Sequence, residues 1–558
     1  MSGVEAVISL LTSLPQVITA VRDLGEELSK LGKLVVKLAR GLPFIDEKMR
    51  KYVEDIDIKQ HVFIPLLSNW ASQLGKEEQL DQLKYVMGKL TSIAEMYKSN
   101  QEVLQRWTED STDRKFKDRA VILAGIYLRS REKSIMDNLK RLDQELSLLG
   151  TDAVILGILS GVVLPKKSLE NHYVPAEMEL GISVAMARKL VEEGKNAQQL
   201  DFEQLGESVT FEKWGPDLAL GVGTNRQFSN CIFNHRKIEN LDNYPKLLED
   251  TQRIASLLQD PLASNITNEK GRKWDRSDFG LLTCVGYVEI TEHDWAHVDL
   301  ILKLPRNTML NPPPRSLRHL LAASREIGAQ HPLNDRLEFA VKLTKALLFV
   351  HSADIIHKGV RPEAILVVEN SAIPTEQKKR FPNGLGNPYL LGFGQSRKTG
   401  LTHRKTFDDN MNILVYHHPR HQIPSRNEDY HMLDDIYSLG IVLMEIGIWR
   451  SLFEREVDWR GIESWEVDRD VVEMYDPSKN TERDMKDRLD AEVIRDKFVD
   501  VANTTIRATM GNTYAEVVLT CLRSWGGEFG EGEKVCDQSH VALKYIELVV
   551  DRLSGIKF

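Results

Sequence analysis

Four short words in the second half of the chain carry the groups that could do chemistry. The first is His357-Lys358-Gly359-Val360-Arg361-Pro362-Glu363-Ala364-Ile365-Leu366, and the second is Asn387-Pro388-Tyr389-Leu390-Leu391-Gly392-Phe393-Gly394. The third is Tyr416-His417-His418-Pro419-Arg420, and the fourth opens Asp434-Asp435-Ile436-Tyr437-Ser438-Leu439-Gly440. In a phosphoryl transfer, a carboxylate would accept the hydroxyl proton and oxygen ligands would hold magnesium against the phosphates.

The four words resemble, in order, the catalytic loop, the metal-binding strand end, the end of the activation segment and the following core helix of protein kinases. The resemblance implies a bilobal kinase-like fold. It also implies where the reacting groups should be, and there the sequence departs from the pattern. Gly359 stands at the catalytic base, Ala364 at the metal-binding asparagine and Gly392 at the metal-binding aspartate. Neither glycine nor alanine supplies an oxygen ligand or a proton acceptor. The expectation is no catalytic residue, no metal site and a pseudokinase rather than an enzyme. Magnesium-dependent turnover is not expected, although ATP could still bind through apolar contacts. The residues expected to hold the frame are His357, Arg361 and Asp435. The Asp435 carboxylate would accept hydrogen bonds from the catalytic-loop backbone.

Other positions mark the nucleotide pocket. Cys231-Ile232-Phe233-Asn234-His235-Arg236-Lys237 sits where a phosphate-pairing cation would come, and either Arg236 or Lys237 would fill that place. Glu249, on a helix expected over about 244–259, is the candidate partner for that cation. Gly221-Val222-Gly223 is half of a glycine-rich phosphate loop, but Arg226 replaces the third glycine, so a plain turn is expected. Arg420 takes the place of a glutamate that would pair with Arg523, so the segment must be anchored differently. Thr399, Thr402 and Thr406, near Arg397 and Arg404, could carry phosphate that orders the loop, or could lie in a solvated loop.

These words must be positioned by the surrounding elements. Strands are expected over about 279–287 and 298–304, with a hinge at Lys303-Leu304-Pro305. A short helix should begin near Ser316 and an apolar helix should run from Asp335 to His351. Closing helices should cover about 514–525 and 540–553. The expected kinase-like domain is 201–558, with an N-lobe of about 201–305 and a C-lobe of about 306–558.

The first third reads differently. Val4, Val7, Leu11, Leu14, Ile18 and Val21, then Leu24, Leu28, Leu31, Val35 and Leu38, recur at helical spacing. Pro15 should kink or split the first stretch, and Gly41-Leu42-Pro43 should end the second. Helical patterns continue over about 46–107 and 114–149, giving an antiparallel bundle across 1–150. Residues 151–200 would form a helical brace or linker. The fold class is thus multidomain α and α+β: an all-α bundle followed by a kinase-like domain. A bundle ahead of a degenerate kinase-like domain resembles the fungal HeLo-type proteins of the prion-inhibition and heterokaryon-incompatibility group. The same architecture is found in the mixed-lineage kinase domain-like necroptosis executors. The resemblance implies a cell-death or allorecognition effector: an upstream signalling protein or kinase as partner, self-oligomerisation through the bundle, and membrane lipids as target. The alternatives are a protein-binding scaffold and an atypical active Ser/Thr kinase.

Composition limits the remaining classes. The chain has 558 residues, 42% hydrophobic and 28% charged, with a formal net charge of −9. That balance argues against nucleic acid as a partner. Four scattered cysteines (Cys231, Cys284, Cys521 and Cys536) fit neither a zinc site nor a disulfide framework, and point to a reducing, cytoplasmic setting. No secretory signal is read at the N-terminus. The longest apolar run, Ala153 to Leu164, is shorter than the about 18–20 residues that span a bilayer, so any membrane role would be by recruitment.

Overall fold

The computed structural model describes residues 14–40, 50–57, 59, 84, 87–88, 90–102, 136–137, 139–143, 146, 198–200, 209–213, 219–223, 231–238, 244–259, 279–291, 296–305, 307–310, 314–369, 381–398, 411–422, 429–457, 463–467, 491–526, 529 and 538–557. The chain forms two compact units, 1–185 with 263–274, and 186–262 with 275–558. The expectations for residues 4–13, 41–43, 151–164 and 175–195, and for Arg226, Thr399, Thr402, Arg404 and Thr406, lie outside the described residues.

In the first unit every described residue is helical. Helix α1, Leu14–Arg40, runs unbroken through residues 21–24. Pro15 sits in its first turn, where its missing N–H has no intrahelical partner to lose, and the part of the first stretch that precedes Leu14 lies outside the described residues. Its buried stripe is Gly25, Leu28, Gly32, Val35, Val36 and Ala39, at the three-and-four spacing of an amphipathic helix. Val53, Ile56, Leu90, Ile93, Tyr97, Leu139 and Leu142 are also buried. Within this apolar interior Lys59 Nζ meets Asp143 Oδ1 at 2.6 Å, both side chains nearly closed to solvent. No helix among the described residues is long and apolar enough to cross a membrane.

The second unit mixes helix with small sheets. Strands β1 (Val209–Lys213) and β2 (Ala219–Gly223) pair antiparallel, Val209 opposite Gly223. Gly221 and Gly223 therefore lie in a strand rather than in a turn; the backbone ladder with β1 overrides the local glycine signal. β3 (Cys231–Ile238) is followed by α2 (Tyr244–Leu258), then β4 (Thr283–Thr291) and β5 (Ala296–Lys303). The sheet has the order β3-β5-β4, antiparallel throughout, and α2 packs on it.

β6 (Arg315–Ser316) leads into α3 (Leu317–Ile327), whose N-cap is Ser316, and α4 (Leu333–Ser352) follows. β7 (Ile355–Ile356), β8 (Ile365–Val368), β9 (Asn387–Leu390) and β10 (Arg397–Lys398) frame the two loops of interest. β8 pairs with β9, and β7 with β10. A single turn, α5 (Met411–Leu414), precedes α6 (Met432–Ile448). α6 is buried from Met432 through Gly447, as expected of a helix apolar around its whole circumference. The hairpin β11 (Phe453–Val457) and β12 (Glu463–Val467), then α7 (Ala491–Val501), α8 (Arg507–Leu522), α9 (Gln538–Tyr545) and α10 (Asp551–Ser554), complete the unit. α4 and α8 both pack against α6.

Candidate functional site

The site is built where two loops meet. β8 and β9 run antiparallel with Ile365 opposite Leu390. One step beyond that register the Leu391 N–H donates to the Ala364 carbonyl at 2.7 Å. The ladder thus delivers Ala364 to the side of Gly392. A Cβ on Gly392 would stand 2.8 Å from the Ala364 Cβ, and a Cβ on Gly359 would stand 3.1 Å from the Gly392 carbonyl oxygen. The three small residues pack directly on one another. Gly392 also has φ +83, a left-handed conformation that side chains other than glycine adopt at a cost. The Gly392 N–H donates to Asn234 Oδ1 at 3.0 Å, so β3 closes the fourth side.

Below this cluster the His357–Gly359 turn is fixed by one carboxylate. Asp435 Oδ2 accepts from the His357 N–H at 2.7 Å, and Oδ1 accepts from the Lys358 N–H at 2.8 Å. His351 Nε2 lies 2.9 Å from Oδ2. Asp435 is fully buried, and its position in the first turn of α6 follows from the His431 N-cap and its capping box with Asp434. His357 is fully buried as well; its ring lies 4.9 Å from that of Phe393, and its Nδ1 accepts from the Gly359 N–H at 3.2 Å. Burial holds His357 neutral, its pKa pushed down to about 4 despite the opposing pull of Asp435.

Above the cluster lies Arg236. Its side chain is buried, and one terminal nitrogen donates to the Ser396 carbonyl at 2.7 Å. The Ser396 hydroxyl in turn donates to the His357 carbonyl at 2.8 Å. A chain of bonds thus runs from β3 through the 392–398 segment and the His357 turn to α6. Desolvation lowers the Arg236 pKa to about 10, and Asp250 partly offsets it. Asp250 also accepts from the Lys398 N–H at 3.2 Å. Glu249 lies on the exposed side of α2, where it pairs with Arg253 at 3.0 Å. The carboxylate that acts on the β3 cation is therefore Asp250 rather than Glu249. The helical stripe carried this signal: Asp250, Ile254 and Leu257 recur at i, i+4 and i+7 and are all buried, whereas Glu249 is one step off that face. Lys237 is in β3 opposite His297. Arg361 is buried, with its Nε 3.9 Å from Glu363.

A second buried cluster was not anticipated from the sequence. Arg318 of α3 donates to Glu363 Oε2 at 3.0 Å, to the Tyr416 hydroxyl at 3.0 Å and to the Ser451 hydroxyl at 3.2 Å. Tyr416 donates to Glu445 Oε2 at 2.9 Å, and the Leu452 N–H donates to Glu445 Oε1 at 2.8 Å. Arg318 thus meets one buried carboxylate, Glu363, directly and is linked to the other, Glu445, through the Tyr416 hydroxyl. Desolvation raises the Glu445 carboxyl to about 7, with Arg318 acting against that rise.

Arg420 is anchored without Arg523. It stacks over Trp525 at 3.7 Å, donates to the Asp429 carbonyl at 2.5 Å, and has its Nε 3.7 Å from Asp434. Asp434 also receives Trp525 Nε1 at 2.9 Å and faces His421 Nε2 at 2.9 Å. Arg523 is exposed. Arg420 is thus held by an acidic residue of α6.

Among the described residues no group of three or more His, Cys, Asp or Glu is arranged to hold a metal ion. No family model matches the chain.

Proposed function

We propose that the second unit is a kinase-derived scaffold without phosphoryl-transfer chemistry, and that the chain is a signalling protein whose helical first unit is the effector. In this reading β3-β5-β4 with α2 forms the smaller lobe, and the helices around α6 form the larger one. One observation carries the reading: Gly359, Ala364 and Gly392 fill the places of the reacting groups and pack against one another, on a loop still pinned by Asp435. Loss of one acidic group leaves room for a neighbour to compensate. Here the space itself is taken. Arg236, buried between Asp250 and Ser396, supports the same view, since it is engaged in holding the frame together.

The effector role of the first unit is supported by its amphipathic helices and by the resemblance to bundle-bearing cell-death proteins. It would act by exposing an apolar face to other copies of the chain and to lipid. The test uses the full chain. Incubation with γ-labelled ATP and magnesium should transfer no phosphate to the protein or to a generic acceptor, and thermal unfolding with ATP should be indifferent to magnesium. Magnesium-dependent transfer would overturn the scaffold assignment. Dye release from vesicles containing anionic phospholipid tests the effector role; intact vesicles at every lipid composition would leave a protein-binding scaffold in its place.

A further inference from the structure

The free edge of β4 is not bare. Gln199 pairs with Tyr287 as a parallel bridge. The Leu200 N–H donates to the Tyr287 carbonyl at 2.9 Å, and the Tyr287 N–H donates to the Gln198 carbonyl at 3.1 Å. Leu200 is buried, and it joins Cys231, Phe233, Val288 and Ile301 in one apolar cluster on the sheet. Three residues thus hold the edge with two backbone bonds and one side chain.

The sequence makes room for them at one position. The register of β4 on β5 shifts between Cys284 and Gly286, a bulge that bends the edge and re-aims its residues. A Cβ on Gly286 would lie 2.4 Å from the Gln198 carbonyl oxygen and 3.0 Å from Leu200 Cδ1. Only a residue without a side chain lets the Gln198 backbone approach so closely. Covering an edge strand in this way also protects it from pairing with another chain.

We propose that Gln198–Leu200 is a strap that opens and closes on the β4 edge separately from the sheet, with Gly286 as its seat. The attachment is small compared with the bonding of β5, which is paired along its full length on both sides, so its opening does not require the sheet to open.

Amide hydrogen exchange on the full chain tests the strap directly. The Leu200 amide should be protected, yet exchange on the order of 100-fold faster than the Leu300 amide of β5, as local opening requires. Gly286→Val should abolish Leu200 protection while leaving that of Leu300. Should that variant fail to fold, Leu200→Ala should speed exchange at Leu200 and Tyr287 about 10-fold or more, by removing the side-chain part of the attachment. Exchange of Leu200 and Leu300 at one common rate would overturn the proposal. Unchanged Leu200 protection in folded Gly286→Val would do the same. An ATP-independent strap of this kind would survive even if magnesium-dependent transfer were detected, so the two readings fail separately.

Discussion

A carboxylate placed at Gly392, where the proposed kinase-derived reading puts a metal ligand, should damage the protein. Consider Gly392→Asp. The backbone there has φ +83 and ψ 33, and an aspartate in that left-handed region costs about 1–2 kcal/mol. Its Cβ would sit 2.8 Å from the Ala364 Cβ, where ordinary contact begins near 3.4 Å. Overpacking of that kind costs about 1–3 kcal/mol. A carboxylate placed among Ala364, Gly359 and Asn234 without new donors adds about 1–3 kcal/mol more. The total is about 3–8 kcal/mol, against the about 5–15 kcal/mol that normally holds a domain folded.

The assay is urea unfolding followed by tryptophan fluorescence, with scanning fluorimetry alongside. Gly392→Asp should lower the apparent Tm by at least about 5 °C, given about 2–4 °C per kcal/mol for a domain of moderate size. Gly392→Ala separates the backbone and Cβ costs from the charge and should cost about 2–5 kcal/mol. Gly359→Ala meets a carbonyl oxygen at 3.1 Å without the positive φ, so it should cost less, below about 1.5 kcal/mol. A Gly392→Asp protein within about 1 °C of the parent would refute the closed-site argument. So would the reverse ordering of the two alanine variants, or phosphate transfer by a chain carrying Gly359→Asp, Ala364→Asn and Gly392→Asp together.

Other perturbations follow from the buried polar groups. Asp435→Asn turns one acceptor into a donor facing the His357 and Lys358 N–H groups, and should cost about 1.5–3 kcal/mol in urea unfolding. Glu445 has a raised folded pKa of about 7, so the folded state holds a proton that the unfolded chain has released. Stability should therefore be highest near the unfolded carboxyl pKa and fall as pH rises towards 7, then level off. Glu445→Gln should flatten that slope, and a parent whose stability is flat between pH 5 and pH 7 would contradict it. Arg318→Met leaves the buried Glu363 without its guanidinium and should cost about 3–5 kcal/mol. In Arg318→Met with Glu363→Gln the cost should shrink, because the uncompensated charge is gone.

What the sequence revealed depended on the range of the interaction. The α6 word, with Asp435 and its run of apolar residues, is legible because one helix buried on all sides needs an unbroken apolar pattern. The loop around Gly359 is legible because its neighbours keep fixed spacing to that helix. Choosing between Arg236 and Lys237 is harder: β3 is buried on both faces near its start, with Cys231, Ile232, Phe233 and Asn234 all closed to solvent, so alternation gives no phase. Asp250 is legible on its helix, since it shares a buried stripe with Ile254 while Glu249 lies off it. The Arg318–Glu363–Tyr416–Glu445 cluster was not legible at all. Its members are separated by 45, 98 and 29 residues in the chain, and no local pattern marks them as partners. The β2 strand through Gly221 and Gly223 was hidden for the same reason, because its partner strand decides its conformation.

α6 fixes two loops with side chains of its own. Asp434, Ser438 and Glu445 recur at i, i+4 and i+11, which places them along one side of the helix. Asp434 holds His421 and Arg420, Ser438 donates to the Tyr416 carbonyl at 2.7 Å, and Glu445 takes the Tyr416 hydroxyl. The 416–421 segment is clamped along three turns by groups that never touch Gly359 or Gly392. Asp435, one residue on from Asp434, points the other way and holds the His357 turn. Two loops are thus fixed by adjacent residues of one rigid element, and neither attachment uses a catalytic group. A carboxylate lost from α6 would release a whole segment. Intolerance of change should accordingly be sharp at Asp434, Asp435 and Glu445.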